Sequence, residues 1–316
     1  MKVPPFVAGL LLASMTLAVA AHDLRGIVAE DNSLDPAARQ KREEIAQLKS
    51  LLAQRAKNGE SGLEAVVRTA LRWTRSEISV CFLDGTSSAF EQVAAVAAEW
   101  SQGTAIRFDF GAVGARRRCN VQSPSDIRVS FGPGGYWAYV GTTGRQIPAD
   151  KPTMNLDRLD HPGPLSEYER SVVLHEFGHA LGFEHEHQSP QSGCQEEFNW
   201  DYLYASMGWP PEKVRFNMAR FDRSGSLNGL ESTAFDRESV MLYSLESRAF
   251  RNPDTATCLV RQANPRLSPT DLAAARYLYP TAGGAAMPAA PAAPARISDE
   301  GVALSGRLRL LTGAGQ

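Results

Sequence analysis

His175-Glu176-Phe177-Gly178-His179-Ala180-Leu181-Gly182-Phe183-Glu184-His185 is the stretch on which the reading of this 316-residue chain turns. Residues four apart on a helix are rotated by about 40° and separated by about 6 Å along its axis. His175 and His179 therefore present two imidazoles to one point in space, as a tetrahedral ion requires. Glu176 stands beside the first of them and can reach a metal-bound water without being a ligand. If the helix ran on, His185 would lie about 240° around and about 9 Å beyond His179. Gly182 removes that difficulty, because glycine takes the left-handed conformation that ends a helix and reverses the chain.

Chance is a poor explanation. At this chain's frequencies of histidine, glycine and acids, the pattern arises in roughly 2 of 100,000 such chains. The expectation is one catalytic zinc ion held by His175, His179 and His185, with Glu176 as base. The remaining position on the ion would hold water, whose pKa zinc lowers toward about 7. Glu176 could then take its proton during attack on a peptide carbonyl and deliver it to the departing amine. His187 has no partner at ligand spacing and reads as a neighbouring polar residue. Further along, Ser239-Val240-Met241-Leu242-Tyr243 puts a methionine where a returning chain could pass beneath the metal.

Outward from the motif, Pro164 to Leu181 reads as one long helix with Ser166 near its start. Upstream of it, Ile78 to Leu83, Thr104 to Phe110, Asp126 to Phe131, Trp137 to Gly141 and Thr153 to Leu156 read as strands. Ser88 to Ser101 carries an apolar helical face (Phe90, Val93, Val96, Ala97, Trp100). That order predicts an α+β lobe, a mixed five-stranded sheet packed against two long helices. Downstream the chain is poorer in strands. Asn199 to Met207, Pro211 to Phe221 and Pro269 to Leu278 are helix candidates in a less regular C-terminal lobe, and the site is expected in the cleft between the lobes.

The flanks differ from this body. Residues 1–21 read as a secretory signal, with Lys2 ahead of an apolar run from Phe6 to Ala18 that is too short for a comfortable membrane span. Residues 22–68 include a charged, helix-favouring stretch from Leu34 to Lys57 without Trp, Tyr or Phe, which fits a prosegment or helical extension. The body is assigned to 69–280, and 281–316 opens on an Ala/Pro/Gly run that suits a flexible tail. The expected location is therefore extracellular or periplasmic, with no stable membrane insertion. Export also implies oxidising conditions, so Cys81, Cys119, Cys194 and Cys258 should pair. Of the three connectivities open to four cysteines, Cys81–Cys119 and Cys194–Cys258 keep each bridge within one half of the chain. A formal net charge of -2 gives no electrostatic case for nucleic acid as partner. Arg116-Arg117-Arg118 is the one compact basic run and reads as a solvated loop.

At these residues the sequence resembles the astacin family of metzincin peptidases, especially its bacterial and fungal members, from about Trp73 to Pro280. The likeness includes the zinc motif with Phe183 and Glu186, the methionine turn with Tyr243, and Leu267-Ser268-Pro269-Thr270-Asp271 leading to Tyr277-Leu278-Tyr279. Gly135-Tyr136-Trp137-Ala138-Tyr139-Val140-Gly141 is similar to the family's substrate-pairing edge strand. The resemblance implies a zincin fold and a zinc endopeptidase acting on protein or peptide substrates as a monomer. It also implies roles for Met241 beneath the metal, for Tyr243 as a swinging oxyanion partner, for Trp137, Ala138 and Tyr139 in binding substrate, and for Glu186 in anchoring a matured N-terminus. Ala105 and Tyr136 stand where family cysteines are usual, Leu242 replaces a common histidine, and the family's prosegment aspartate motif is not visible. A rival reading, a non-catalytic zinc-containing protein that holds peptides in the same cleft, would need the ligands but not Glu176.

Overall fold

The computed structural model describes residues 66–221, 230–232 and 234–281. The expected signal, most of the expected N-terminal extension and all but the first residue of the expected tail lie outside the described residues. In chain order the strands are β1 (Val67–Arg68), β2 (Glu77–Phe82), β3 (Arg107–Asp109), β4 (Gly111–Ala112), β5 (Ala115–Arg116), β6 (Ile127–Ser130), β7 (Tyr136–Ala138), β8 (Met154–Leu156) and β9 (Leu230–Glu231). The helices are α1 (Ser87–Ala97), α2 (Glu167–Ala180), α3 (Cys194–Glu197), α4 (Trp200–Ser206), α5 (Pro211–Met218) and α6 (Pro269–Leu278).

The main sheet has five strands in the order β3-β2-β6-β8-β7. The first four run parallel and β7 runs antiparallel to β8. Central strand β2 is covered on both faces, which its run of Ile78, Val80, Cys81 and Phe82 permits. Thr86 caps α1 by accepting from the Ala89 amide, and α1 packs on the sheet through Phe90, whose ring stacks 4.0 Å from that of Phe82. Helix α2 begins in a capping box, with Ser166 and Glu169 each satisfying the other's backbone. Trp100 is fully buried behind it and donates its indole N–H to Leu174 O at 2.9 Å.

Both expected disulfides are present. Cys81–Cys119 ties β2 to the loop after β5, and Cys194–Cys258 ties α3 to the loop before α6. Two strands are shorter than the sequence suggests. Residues 104–106 leave the ladder because the Ala105 amide bonds Tyr279 O instead. The strand expected to reach Gly141 stops at Ala138, and Gly141, at φ +53°, opens a 3-10 turn over Gly141–Gln146. The arginine run also departs from a solvated loop. Arg116 pairs with Glu91, Arg117 with Asp109, and Arg118 lies 4.5 Å over the Phe90 ring.

The segment just before the body is not separate from it. Val67 is fully buried, the Arg68 amide bonds Gly182 O at 2.7 Å, and the Glu184 amide bonds Val66 O at 2.8 Å. The Arg68 guanidinium closes this contact on the Glu184 carboxylate at 2.5 Å.

Candidate metal centre

Helix α2 positions His175, Glu176 and His179 on its last turns, all of them buried. The helix ends at Ala180 with Leu181 as its C-cap, and Gly182 adopts φ +101°, the reversal that the sequence requires for His185 to return. Its C-terminal carbonyls, which lack helical partners, are met by side chains from far away. The Trp73 indole donates to Ala180 O at 2.8 Å and the Tyr279 hydroxyl donates to Leu181 O at 2.7 Å.

The three histidines converge. One ring nitrogen from each of His175, His179 and His185 lies within 4.8 Å of the others, a group able to hold a metal ion. The Nε2 atoms of His175 and His179 are 3.0 Å apart. The opposite nitrogens all face acceptors: His175 Nδ1 meets Val240 O at 2.7 Å, His179 Nδ1 meets Phe183 O at 2.7 Å, and His185 Nδ1 meets Gln188 Oε1 at 2.9 Å. A carbonyl oxygen only accepts, so each Nδ1 carries the proton and each Nε2 keeps its lone pair. That donor set fits zinc, whose structural and catalytic sites favour neutral imidazole.

Met241 is 1% exposed and seated against Gly178 of helix α2. A Cβ on Gly178 would lie 2.5 Å from Met241 Sδ and 2.9 Å from Trp100. The glycine inside the motif is therefore what lets the methionine turn approach the helix. Tyr243 is buried with its ring 4.3 Å from that of His185 and 5.8 Å from that of His175. His187 stacks on His185 at 5.0 Å and sends Nε2 to Asn217 O at 2.8 Å, so it faces a backbone carbonyl. Leu242 is buried.

Glu186 is 1% exposed and accepts from the Asp236 amide at 2.9 Å. Burial pushes its carboxyl up to about 8, with Asp271 and Asp236 adding to the effect against the hydrogen bond. Asp271 is fully buried, and burial raises it to about 6 although it accepts from Ser239 Oγ, Val240 N and Ser268 N. These bonds hold the Val240 carbonyl under His175.

On the other side of the site, α2 packs against β7, the last strand of the sheet. Trp137 and Ala138 are buried and paired to Asn155 and Met154, while Tyr139, beyond the strand, keeps its amide on Thr153 O at 3.0 Å. Sequence reasoning misses Gly178, Gln188, Trp73 and Asp271 as parts of the site. Gly178 lies inside the motif itself, and the sequence singles out the Leu267–Asp271 and Tyr277–Tyr279 segments without giving them a structural task.

A family model described as Astacin, a peptidase family, matches residues 65–271. The chain belongs to the astacin family. It is a zinc metalloendopeptidase of α+β, metzincin-like fold. The solved structure of myroilysin is 28% identical, covers 69% of this chain and 99% of its own, and superposes with a TM-score of 0.57. A second myroilysin structure, also 28% identical, covers 67% and 86% with a TM-score of 0.48. High choriolytic enzyme 1, a hatching enzyme zinc-protease from the medaka fish Oryzias latipes, is 18% identical over 69% and 97% with a TM-score of 0.41. The fold likeness rests on the first of these. No curated protein sequence matches. Where this astacin-family chain lacks two usual cysteines, Ala105 holds Tyr279 through its backbone and the Tyr136 ring lies 6.3 Å from Tyr168. Among the described residues no helix is long and apolar enough to cross a membrane.

Proposed function

We propose that this chain is an exported, monomeric endopeptidase in which His175, His179 and His185 hold zinc and Glu176 is the catalytic base. The observation that carries this reading is the convergence of three buried imidazoles whose Nδ1 atoms all face acceptors, with Glu176 on the same helical turn. Zinc, when bound, acidifies a coordinated water and polarises the scissile carbonyl.

The chain's own residues do the rest. Glu176 takes the water's proton on its carboxylate as the water attacks, then hands it to the departing amine nitrogen. The Tyr243 hydroxyl donates to the developing oxyanion, and its ring contact with His185 supports that place in the site. An extended peptide adds alongside β7 by main-chain pairing, with Trp137, Ala138 and Tyr139 as its binding edge. The position of β7 at the end of the sheet supports this role. Gly182 and Met241 support the site by the reversal and by packing beneath the histidines, and Glu186 anchors the matured N-terminus.

Export through residues 1–21 accords with the two disulfides, which persist in oxidising compartments. Residues 22–68 serve as a prosegment or N-terminal helical extension, the last of them paired with residues 182–184, and 281–316 as a tail. A binding module would have no use for Glu176, which disfavours the non-catalytic reading. The test is a peptidase assay on an unfolded protein, wild type beside Glu176→Ala at matched zinc content. Activity in the wild type and loss in the variant are expected. Equal activity in the two would sink the mechanism, and zinc without activity in both would favour a peptide-binding protein.

A further inference from the structure

We infer that Gln188 is a positioning residue for the metal, fixing the tautomer and ring plane of His185 and linking that ligand to the end of helix α5. The inference rests on the reading of His185 as a zinc ligand. Gln188 is 2% exposed, and every side-chain contact it makes has one sense. Its Nε2 donates to Phe216 O at 2.9 Å and to Ala219 O at 3.0 Å. Both amide hydrogens are thereby committed, so the oxygen must face His185 Nδ1, 2.9 Å away. An oxygen there accepts and cannot donate. His185 is left with its proton on Nδ1 and its lone pair on Nε2, toward His175 and His179.

The other two ligands receive this service from backbone carbonyls, Val240 O and Phe183 O. His185 is served by a side chain instead, and a side chain must itself be held. The carbonyls of the last helical turn have no partners within a helix, and α5 ends at Met218. Phe216 O takes Gln188, and the adjacent Asn217 O takes His187 Nε2 at 2.8 Å. The backbone closes the same clamp, with the Phe221 amide on Gln188 O at 2.9 Å. The negative end of α5 thus orients the third ligand through one carboxamide.

The experiment compares Gln188→Leu and Gln188→Glu with wild type and His185→Ala, reading zinc affinity by titration against a chelator. Loss of an outer hydrogen bond to a ligating histidine costs about 10–100-fold in metal affinity, and that loss is expected for Gln188→Leu. Gln188→Glu keeps an acceptor for Nδ1 but loses the donors to α5. It should therefore lose clearly less zinc affinity than Gln188→Leu while its melting temperature falls. Wild-type affinity in Gln188→Leu, or equal losses in Leu and Glu variants, would overturn the inference and leave Gln188 a mere clamp on α5. His185→Ala separates the two levels: zinc retained there would refute the ligand assignment itself. A measurement on the zinc-loaded wild type needs no variant to fold. In a nitrogen-15 histidine spectrum the Nδ1 proton of His185 should be slow to exchange, and a rapidly exchanging proton or metal bound at Nδ1 would overturn the inference.

Discussion

The two lobes solve the same problem by different means. In the N-terminal lobe, backbone donors and acceptors are met by the β3-β2-β6-β8-β7 ladder and by helices α1 and α2. In the C-terminal lobe short helices alternate with loops, and buried or half-buried side chains do that work. Asp271 takes Val240 N and Ser268 N, Glu197 takes Thr257 N and Cys258 N, and Gln188 takes Phe216 O and Ala219 O. A ladder tolerates a changed side chain, whereas a loop tied to one carboxylate does not. The proposed base and its scaffold are divided accordingly, with Glu176 on the regular side and the acceptors behind His175 and His185 on the other.

The largest effect should come from Glu176→Gln, which sits on the robust lobe. We expect kcat to fall by about 10²–10⁴-fold with the melting temperature nearly unchanged. A variant that unfolds instead would show that the catalytic helix shares the fragility of the other lobe.

Disulfide removal sharpens the contrast. Replacing Cys194 and Cys258 by serine should cost about 2–5 kcal/mol by denaturant titration. Replacing Cys81 and Cys119 should cost less, because that bridge closes a shorter loop, 38 against 64 residues, within a laddered region. Equal costs would break the comparison.

Asp271 supplies a pH test. Burial raises its carboxyl to about 6 from the ordinary 3.8, so the folded state binds a proton more tightly than the unfolded one. That contribution to stability is full below pH about 4 and is lost as pH climbs through about 6. Two units correspond to a loss on the order of 3 kcal/mol. Asp271→Asn should flatten the stability profile between pH 4 and 7, and an unchanged slope would show that the carboxylate is fully compensated.

The smallest effect concerns the hinge between the two regimes. Gly182→Val forces a β-branched residue to φ +101°, at a cost of about 1–3 kcal/mol. Weakened zinc binding by about tenfold is expected although no ligand is removed. A chelator titration with unchanged affinity would show that the reversal at 182 does not govern His185.

What can be read in advance follows the same division. The metal motif is local, so helix geometry and one glycine suffice to bring three histidines together. Alternating strands, capping residues and Pro211 or Pro269 at helix starts are also local signals, and their elements are found, although two strands and the helix from Pro211 stop short of the expected ends. Gln188 and Asp271 are opaque because their partners other than His185 and Ser268 lie 28–32 residues away in segments without periodicity. Gly178 is opaque because its task is to leave room for Met241 Sδ and Trp100, a distance that no pattern encodes. Val66 to Arg68 read as part of the extension because nothing in their composition says that they pair with residues 182–184.

The acceptors behind the three imidazoles come from separate stretches of chain: Val240, Phe183 and Gln188. In a chain still folding, with residues up to 188 in place but 216–240 not, His179 has its acceptor in full while His175 lacks Val240 O and Gln188 lacks its anchor at Phe216 and Ala219. The chain's affinity for zinc must then rise late, as the final contacts form. On the proposed ligand set, the capacity to cut would thus arrive with the last contacts of the scaffold and not before them.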